Sequence, residues 1–297
     1  MIKTVLPSEV STGELHQLML GTISPRPIAF ASTINENGKV NLSPFSFFNV
    51  FSANPPILIF SPARRVRDNT TKHTYENVLK VKEVVVNLVD YSMVEQMSLA
   101  STEYDEGVNE FEKSGFTELT SEFVKPPRVK ESPASYECKV IEVKQLGTKG
   151  GAGNLIICEV LAVHINERIL NREGKVDPFK LDAVARMGGN WYCRAQGSAL
   201  FEVAKPISTK GIGFDAIPSN IRNSKILTGN HLGKLGNVEE LPLPTAIEKY
   251  RQEPEVSAIL VGLDGDPDAL HDELHKLACY YLDNDDAIGA WKVLLQD

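Results

Sequence analysis

Cysteine is scarce in this sequence and never paired at short spacing. The chain of 297 residues has four cysteines, and none of them forms a CxxC pair of the kind that binds zinc or cycles between thiol and disulfide. A disulfide-rich secreted domain is therefore excluded. We expect reduced and mostly buried thiols in a cytoplasmic protein, at Cys138, Cys158, Cys193 and Cys279.

Long apolar runs are missing as well. No segment approaches the roughly 20 apolar residues that a membrane-spanning helix needs. The first residues, MIKTVLPSEVSTGELHQ, contain no apolar core of signal-peptide length. We therefore expect a chain that neither crosses a membrane nor carries an export signal.

An excess of positive charge is also absent. The formal net charge is -8 at pH 7, whereas a nucleic-acid-binding domain normally presents a basic face. Nucleic acid is therefore not expected as a partner. A local group of arginines can still bind a phosphate-bearing ligand inside an acidic protein.

Complete motifs for nucleotides and metals are lacking too. No GxGxxG follows a predicted strand, so a Rossmann site for NAD(P)H is not expected. The run KGGAG at residues 149–153 lacks the GK[ST] ending of a phosphate loop and leads into a strand, which favours a hairpin turn. His271 and His275 have zinc-protease spacing, but Asp272 stands where that motif needs glutamate. No metal site is predicted.

What the sequence does contain is a series of β-prone runs. Strands are predicted over residues 27–34, 39–48, 57–60, 83–89, 135–146 and 154–165, with Asn37-Gly38 as a hairpin turn. Residues 1–20 suggest a lead-in with one helical turn, and 103–134 a long loop. Helices are predicted over residues 69–81 and, from a capping box at Ser92 and Glu95, to Ala100. Several strands with short turns favour a closed or half-closed barrel, mainly β with helices.

The composition changes at about residue 206, where glycine, asparagine and proline become frequent. Helices are predicted over residues 245–252, 268–282 and 285–295, and a β-like run, VSAILVG, over 256–262. The predicted domains are therefore 1–205, a barrel, and 206–297, a C-terminal α/β extension. Because no flexible Gly/Ser linker separates them, we expect the extension to pack on the barrel.

Four segments resemble a known family when they are taken in order. They are SPRPIAFAST at 24–33, NLSPFSFFNVFSANPP at 41–56, RRVRDNT at 64–70 and RMGGNWY at 186–192. Together they are similar to the flavin reductase-like family of FMN-binding split β-barrels, which includes nitrilotriacetate monooxygenase reductase components and flavoredoxin. The resemblance covers about residues 10–200. It implies a homodimer with FMN as cofactor and NAD(P)H as transient co-substrate.

The phosphate of FMN is predicted to bind in the arginine-rich segment. Arg67, Asp68, Asn69 and Thr70 stand at the start of the predicted helix, where free N–H groups and the helix dipole favour an anion. Arg67 would add a charge-assisted hydrogen bond, and Asp68 is better interpreted as a cap or as an orienting partner of Arg67. The alternative is an ordinary surface loop with a solvated arginine.

The flavin ring is predicted to lie against small and aromatic side chains. Small side chains let backbone N–H groups approach the ring, hydroxyl and amide groups suit the ribityl chain, and a phenylalanine can flank the ring. The predicted contacts are on two strands expected to be neighbours, namely Ala31, Ser32 and Thr33 on one and Ser46, Phe47, Phe48 and Asn49 on the other. The alternative is a barrel core with satisfied hydroxyls. Arg26, between two prolines, either faces the cofactor or braces a turn.

The RMGGNWY segment lies near the flavin in the family. By that resemblance Arg186 and Tyr192 edge the site, across a subunit boundary if the protein is a dimer; the alternative is a helix cap. The implied activity is NAD(P)H-dependent flavin reduction, with reduced flavin or electrons passing to a monooxygenase or another redox partner. Two alternatives stay open: a flavoredoxin-like electron carrier with tightly bound FMN, and a non-catalytic protein that binds haem or another flat ligand.

Overall fold

A seven-stranded antiparallel sheet forms the centre of the first part of the chain. The computed structural model describes residues 1–296 and divides the chain into two units, of which the first is Met1–Phe201 and the second begins at Glu202. The strands of the first unit are β1 (Ala29–Ile34), β2 (Val40–Phe45), β3 (Phe48–Ala53), β4 (Pro56–Phe60), β5 (Glu83–Asn87), β6 (Glu118–Leu119), β7 (Arg128–Val129), β8 (Ala134–Gln145), β9 (Asn154–Ile165), β10 (Val184–Arg186) and β11 (Tyr192–Arg194). Its helices are α1 (Thr12–Thr22), α2 (His73–Lys80), α3 (Val94–Leu99), α4 (Glu110–Ser114) and α5 (Pro178–Leu181).

The large sheet closes on itself because of one very short connection. Its strand order is β2-β1-β5-β8-β9-β4-β3, so the chain passes from one edge strand to the other between Phe45 and Phe48. A flat sheet of seven strands would be about 29 Å wide between its edges, whereas this link spans at most about 11 Å. The sheet must therefore curl until its two edges come close, which confirms the predicted half-closed, split barrel.

The barrel wall separates two apolar cores, because side chains alternate across a strand. Ala29 and Ala31 of β1 pack with Phe60 and Val78 in one core. Phe30, from the same strand, packs in the other core, with residues of β2, α3, α4 and the segments around them. All six residues of β1 are buried, so this strand is covered on both faces.

The longest strands were predicted within one residue, and several other boundaries were wrong. β8 and β9 match the predictions 135–146 and 154–165, and Gly38 has a positive φ of 76° in the predicted hairpin turn. The predicted strand 39–48 is in fact two strands, of which β3 pairs with β4 and not with β1. The capping box at Ser92 is also wrong, because Asp90 accepts the hydrogen bond from the backbone N–H of Ser92.

Two predictions of little regular structure were also wrong. Residues 1–20 contain most of an 11-residue helix, α1, whose start is fixed by a capping box between Ser11 and Glu14. The predicted long loop at 103–134 contains α4 and the small hairpin of β6 and β7. Asn109 caps α4, and Gly115 ends it in the left-handed conformation.

The secondary-structure elements that the structure assigns in the described part of the second unit are all helices, and they begin at Ser219. Its helices are α6 (Ser219–Arg222), α7 (Gly229–Gly236), α8 (Pro244–Tyr250), α9 (Pro254–Gly262), α10 (Pro267–Asp283) and α11 (Ala287–Leu294). The predicted strand at 256–262 is therefore wrong, and the extension is not α/β. Val256, Ile259 and Leu260 belong to the core of this unit while Val261 is 76% exposed. These buried positions have the spacing of a helix. In the sequence, an apolar run this short is compatible with either a helix or a strand.

Within residues 1–296, no helix combines the length and the apolar character that crossing a membrane requires. No group of three or more potential metal-ligating side chains is assembled in this range. The packing of the extension on the barrel stays a prediction.

Candidate functional site

Arg26 is a buried brace between distant segments. It is 6% exposed, and its Nη1 donates to the carbonyl oxygens of Leu20 (2.7 Å) and Ile23 (2.6 Å), while Nη2 donates to that of Met187 (2.9 Å). Burial, and secondarily the charge of Arg186, lower the pKa of Arg26. Of the two predicted roles, the bracing of a turn is the one that these contacts describe, and contact with a cofactor stays a prediction.

The RMGGNWY segment is brought to the same place. The backbones of Arg26 and Arg186 exchange two hydrogen bonds, of 3.0 and 2.8 Å. The guanidinium of Arg186 lies 4.6 Å from the centre of the Tyr192 ring, and its Nη1 donates to the carbonyl of Trp191. A Cβ at Gly188 would lie 2.9 Å from the Cα of Gly21, so this position needs glycine. Arg26, Arg186 and Tyr192 thus form one cluster, and Ser46 lies at its edge, 3.5 Å from Nε of Arg26.

The aromatic segment after β2 is exposed on the barrel surface. Phe47 is 39% exposed, and its ring stands edge-on to His16 at 6.1 Å. Phe48 is half-buried and Asn49 exposed, and the side-chain oxygen of Asn49 accepts a hydrogen bond from the backbone N–H of Val50 at 2.8 Å. This segment offers open apolar and polar surface to a ligand or to a second subunit.

Ala31, Ser32 and Thr33 are in a different situation. All three are fully buried, and they pair with Asn41–Ser43 of β2, so the expected neighbourhood with residues 46–49 is wrong. Thr33 Oγ1 accepts a hydrogen bond from Asn77 at 3.0 Å. These side chains present no open surface in the described chain, as in a barrel core, but the buried hydroxyl of Ser32 has no hydrogen-bond partner there. Contact of the three residues with a flavin stays a prediction.

The RRVRDNT segment folds into a tight turn. Arg64 donates from Nε and Nη2 to the side-chain and backbone oxygens of Asn69, both at 2.7 Å, and Asn69 has a φ of 59°. Asp68 accepts hydrogen bonds from the N–H (3.0 Å) and hydroxyl (2.6 Å) of Thr70, and these hold the pKa of Asp68 well below its usual range. The hydrogen-bonding groups that suggested a helix start therefore serve the turn, and α2 begins at His73 and not at Asn69.

Three cations converge on one carboxylate beside this turn. Nε of Arg65 lies 2.8 Å from Glu103 Oε1 and Nζ of Lys72 lies 3.7 Å from it, while Arg67 contacts the other oxygen, Oε2. The Arg65 side chain is only 17% exposed and that of Arg67 is 68% exposed. The Arg65 hydrogen bond is the main cause that lowers the pKa of Glu103. Arg65 is thus held in place, whereas Arg67 stands mostly in solvent and is also paired with Asp68.

An open depression lies beside this cluster at the start of α2. The N-cap of α2, Lys72, makes no side-chain cap hydrogen bond, and the one acidic residue of the first turn is Glu76. The first N–H groups of the helix therefore have no capping oxygen from Lys72. The walls of the depression include residues from β2, the turn, α2 and the segment after α3, among them Ser43, Arg65, Lys72, His73, Thr74, Ser101, Thr102 and Glu103.

Sequence reasoning missed Arg65, Lys72 and Glu103. Arg65 stood in the quoted motif, but nothing in the pattern distinguished it from Arg67. A lysine is an unusual N-cap, because its ammonium has no acceptor, so the start of α2 gave no local signal. Glu103 lies 38 residues from Arg65, in a stretch that was predicted to be a loop.

Comparison with known proteins agrees with this architecture. The family model described as flavin reductase like domain matches residues 20–179 of this sequence. An uncharacterized protein of Aquifex aeolicus (strain VF5) is 40% identical over 195 residues, which are 66% of this chain and 97% of that protein.

Two solved structures are also similar. Nitrilotriacetate monooxygenase component B from Bacillus cereus has a TM-score of 0.63 at 28% identity, over 69% of this chain and 98% of that one. A protein from Shewanella frigidimarina NCIMB 400, described as having a split barrel domain, has a TM-score of 0.56 at 26% identity, over 66% and 96% of the two chains. The chain therefore belongs to the flavin reductase-like family, and its first unit is a split barrel.

Proposed function

We propose that this protein binds FMN and catalyses its reduction by NAD(P)H. The observation that carries the proposal is the convergence of Arg65, Arg67 and Lys72 beside the uncapped start of α2, in a chain of the flavin reductase-like family. An uncapped helix start next to fixed cations is suited to a phosphate. Asp68, Asn69 and Thr70 shape the adjoining turn and complete this end of the proposed site.

The donor set fits a phosphate better than a flat uncharged ligand. Arg65 is anchored by its bonds from Nη1 to Thr70 Oγ1 (2.8 Å) and to the carbonyl of Thr71 (2.6 Å), so little side-chain entropy remains to be lost on binding. Burial is the main cause that lowers the pKa of Lys72. A bound anion would raise that pKa again, because it stabilises the charged ammonium. We propose that Arg65 and Lys72 make the main phosphate contacts and Arg67 an outer one.

The ring is proposed to lie against exposed surface of the barrel. Phe47, Phe48 and Asn49 offer the aromatic and amide groups, and Arg186 and Tyr192 offer the second edge. FMN, when bound, supplies hydride acceptance at its ring, and no acid or base from the chain is needed for that chemistry. The residues of this chain hold the phosphate, orient the ring and limit the access of water, while Arg26 positions the segment that carries Arg186.

Anaerobic spectroscopy of the purified protein tests the proposal directly. We expect flavin absorption bands that bleach when NADH or NADPH is added without oxygen. Bands that persist with both nucleotides would contradict the reductase and favour the electron carrier, and a Soret band would favour haem. The Bacillus cereus neighbour is a monooxygenase component, and we propose that the acceptor of the reduced flavin is likewise an oxygenase or another redox protein.

We also propose that the protein acts as a homodimer. Leu161, Val163 and Ile165 alternate along β9 and are 45%, 47% and 43% exposed, so one face of this strand presents an apolar ridge. Two-fold pairing is the commonest way to cover such a surface. Light scattering at micromolar concentration should give about twice 32.7 kDa. A monomer with full FMN occupancy would contradict a site shared between subunits.

Replacing Glu103 with glutamine should strengthen FMN binding. The carboxylate occupies the point where three cations converge, so it competes with an incoming phosphate. Exposed ion pairs are worth about 0.2–1 kcal/mol, which corresponds to a gain in affinity of up to about fivefold. Glu106→Gln, an exposed carboxylate in the same loop, is the matched control and should change little. Weaker FMN binding by Glu103→Gln in a fluorescence titration would show that Glu103 supports the site.

A further inference from the structure

A second cluster of reactive side chains lies in the helical unit, outside the residues that the family model matches. Sγ of Cys279 is 3.5 Å from Nδ1 of His231, and Nε2 of the same ring is 3.0 Å from Oδ1 of Asp283. A thiol, an imidazole and a carboxylate are thus in line, within or close to hydrogen-bond reach of one another. This order is the one that general-base activation of a nucleophile requires.

The cluster is held by two packed helices. Cys279 and Asp283 are four residues apart on α10 and therefore share one face of that helix. His231 is in the first turn of α7, and Leu232 and Leu235 of α7 belong to the same core as residues of α10. Cys279 is partly exposed as a residue and the His231 side chain is 12% exposed, so the cluster lies at the border between the core of this unit and solvent.

The hydrogen bonds define the tautomer of His231. The backbone N–H of Thr228 lies 3.3 Å from Nδ1, and because an N–H only donates, Nδ1 is an acceptor. The ring proton is therefore on Nε2 and is donated to Asp283. Burial, and secondarily Asp283, raise the pKa of the Cys279 thiol, so the sulfur is protonated near neutral pH. Nδ1, whose one lone pair faces both the Thr228 N–H and the thiol, is the base nearest to the sulfur, since the carbonyl oxygen of Ile226 lies 4.0 Å away.

We propose that Cys279 is a modification site, a thiol that a small hydroperoxide oxidises to sulfenic acid with His231 as general base. Nδ1 takes the thiol proton as Sγ attacks one peroxide oxygen; the S–O bond forms and the O–O bond breaks. The proton then passes from His231 to the leaving oxygen, so that thiol and hydrogen peroxide give sulfenic acid and water. Sulfur loses two electrons to the peroxide, and Asp283 stabilises the transient imidazolium.

The test uses the full chain, hydrogen peroxide and a dimedone-type probe, with mass spectrometry of the labelled peptides. His231→Gln is the decisive variant, because His231 occupies the third position of the α7 capping box with Thr228, where glutamine keeps the cap and removes the base. We expect this variant to slow the labelling of Cys279 by on the order of 100-fold, the lower end of general-base effects. Asp283→Asn, which keeps a hydrogen-bond acceptor, should slow it by a smaller factor.

The other cysteines provide internal comparisons. Cys138 and Cys158 are buried, and burial raises the pKa of Cys138 to about 12, so neither should be labelled. The proposal is overturned if partly exposed Cys193 reacts as fast as Cys279, or if His231→Gln reacts at the wild-type rate with an unchanged melting temperature. If that variant melts early, an unchanged rate in Asp283→Asn overturns the proposal and a slower one supports it. Flavin binding plays no part in these outcomes.

Discussion

Replacing Arg65 with alanine should weaken the binding of FMN by about 10- to 100-fold. The Arg65 guanidinium is mostly buried and anchored to Thr70 and Thr71, with Nε directed at the carboxylate of Glu103. A hydrogen bond to a charged group is worth about 1.5–3 kcal/mol, and about 1.4 kcal/mol corresponds to tenfold in affinity. Riboflavin, which has no phosphate, should lose much less. Titration of flavin fluorescence with both ligands measures the difference.

Arg67→Ala is the matched comparison for this prediction. The sequence and its resemblance to the family predicted Arg67 as the charged ligand of the phosphate. Because its side chain is 68% exposed and already paired with Asp68, we now expect a smaller loss than for Arg65→Ala. A larger loss of FMN affinity in Arg67→Ala than in Arg65→Ala would show that Arg67 is the main phosphate ligand. Equal losses of FMN and riboflavin in Arg65→Ala would mean that Arg65 supports the loop and not the phosphate.

Arg64 is unsuitable as a control for a solvated arginine. From the sequence, Arg64 was expected to be a solvated arginine and so a control for Arg67, but its guanidinium closes the turn on Asn69. Its removal would release the turn that carries Arg65 and Arg67. Arg64→Ala is therefore expected to weaken FMN binding indirectly, with loss of local order.

Local patterns predicted the parts of the fold that are locally determined. β8 and β9 are long, alternate in polarity and are joined by a glycine-rich turn, so their limits were visible in the sequence. The run at 256–262 was misassigned because its few apolar residues fit both the period of a helix and the period of a strand. The start of α2 was misplaced because Asp68 and Thr70 hydrogen-bond each other in a turn that competes with a helix cap.

Local patterns did not predict the contacts between residues that are distant in the sequence. The closure of the barrel depends on strand order, which no single strand encodes. Arg26 and Met187 are separated by 161 residues, and the resemblance to a family, not a periodicity, placed their segments together. The position of Glu103 between Arg65 and Lys72 likewise follows from tertiary packing. The sequence therefore predicted the segments of the proposed site more accurately than the individual side chains that form it.

Arg26→Ala should lower the free energy of unfolding of the barrel by about 3–5 kcal/mol. The substitution removes three charge-assisted hydrogen bonds and leaves the carbonyls of Leu20, Ile23 and Met187 without their donor, at about 1–3 kcal/mol for each that stays buried. The melting temperature should fall by about 10 °C. Thermal unfolding followed by circular dichroism measures this loss. Hydrogen exchange should show earlier opening at the end of α1 and at residues 187–191.

The Arg26→Lys variant tests whether stability depends on the planar geometry of the guanidinium or only on its positive charge. An ammonium carries its three donors on one nitrogen at the end of a flexible stem, so it does not serve all the carbonyls that Nη1 and Nη2 reach separately. We therefore expect Arg26→Lys to lose most of the stability lost by Arg26→Ala, whereas Arg67→Ala, at an exposed ion pair, should leave the melting temperature nearly unchanged. Wild-type stability in Arg26→Lys, together with weaker binding of both FMN and riboflavin, would identify Arg26 as a flavin contact and not as a brace.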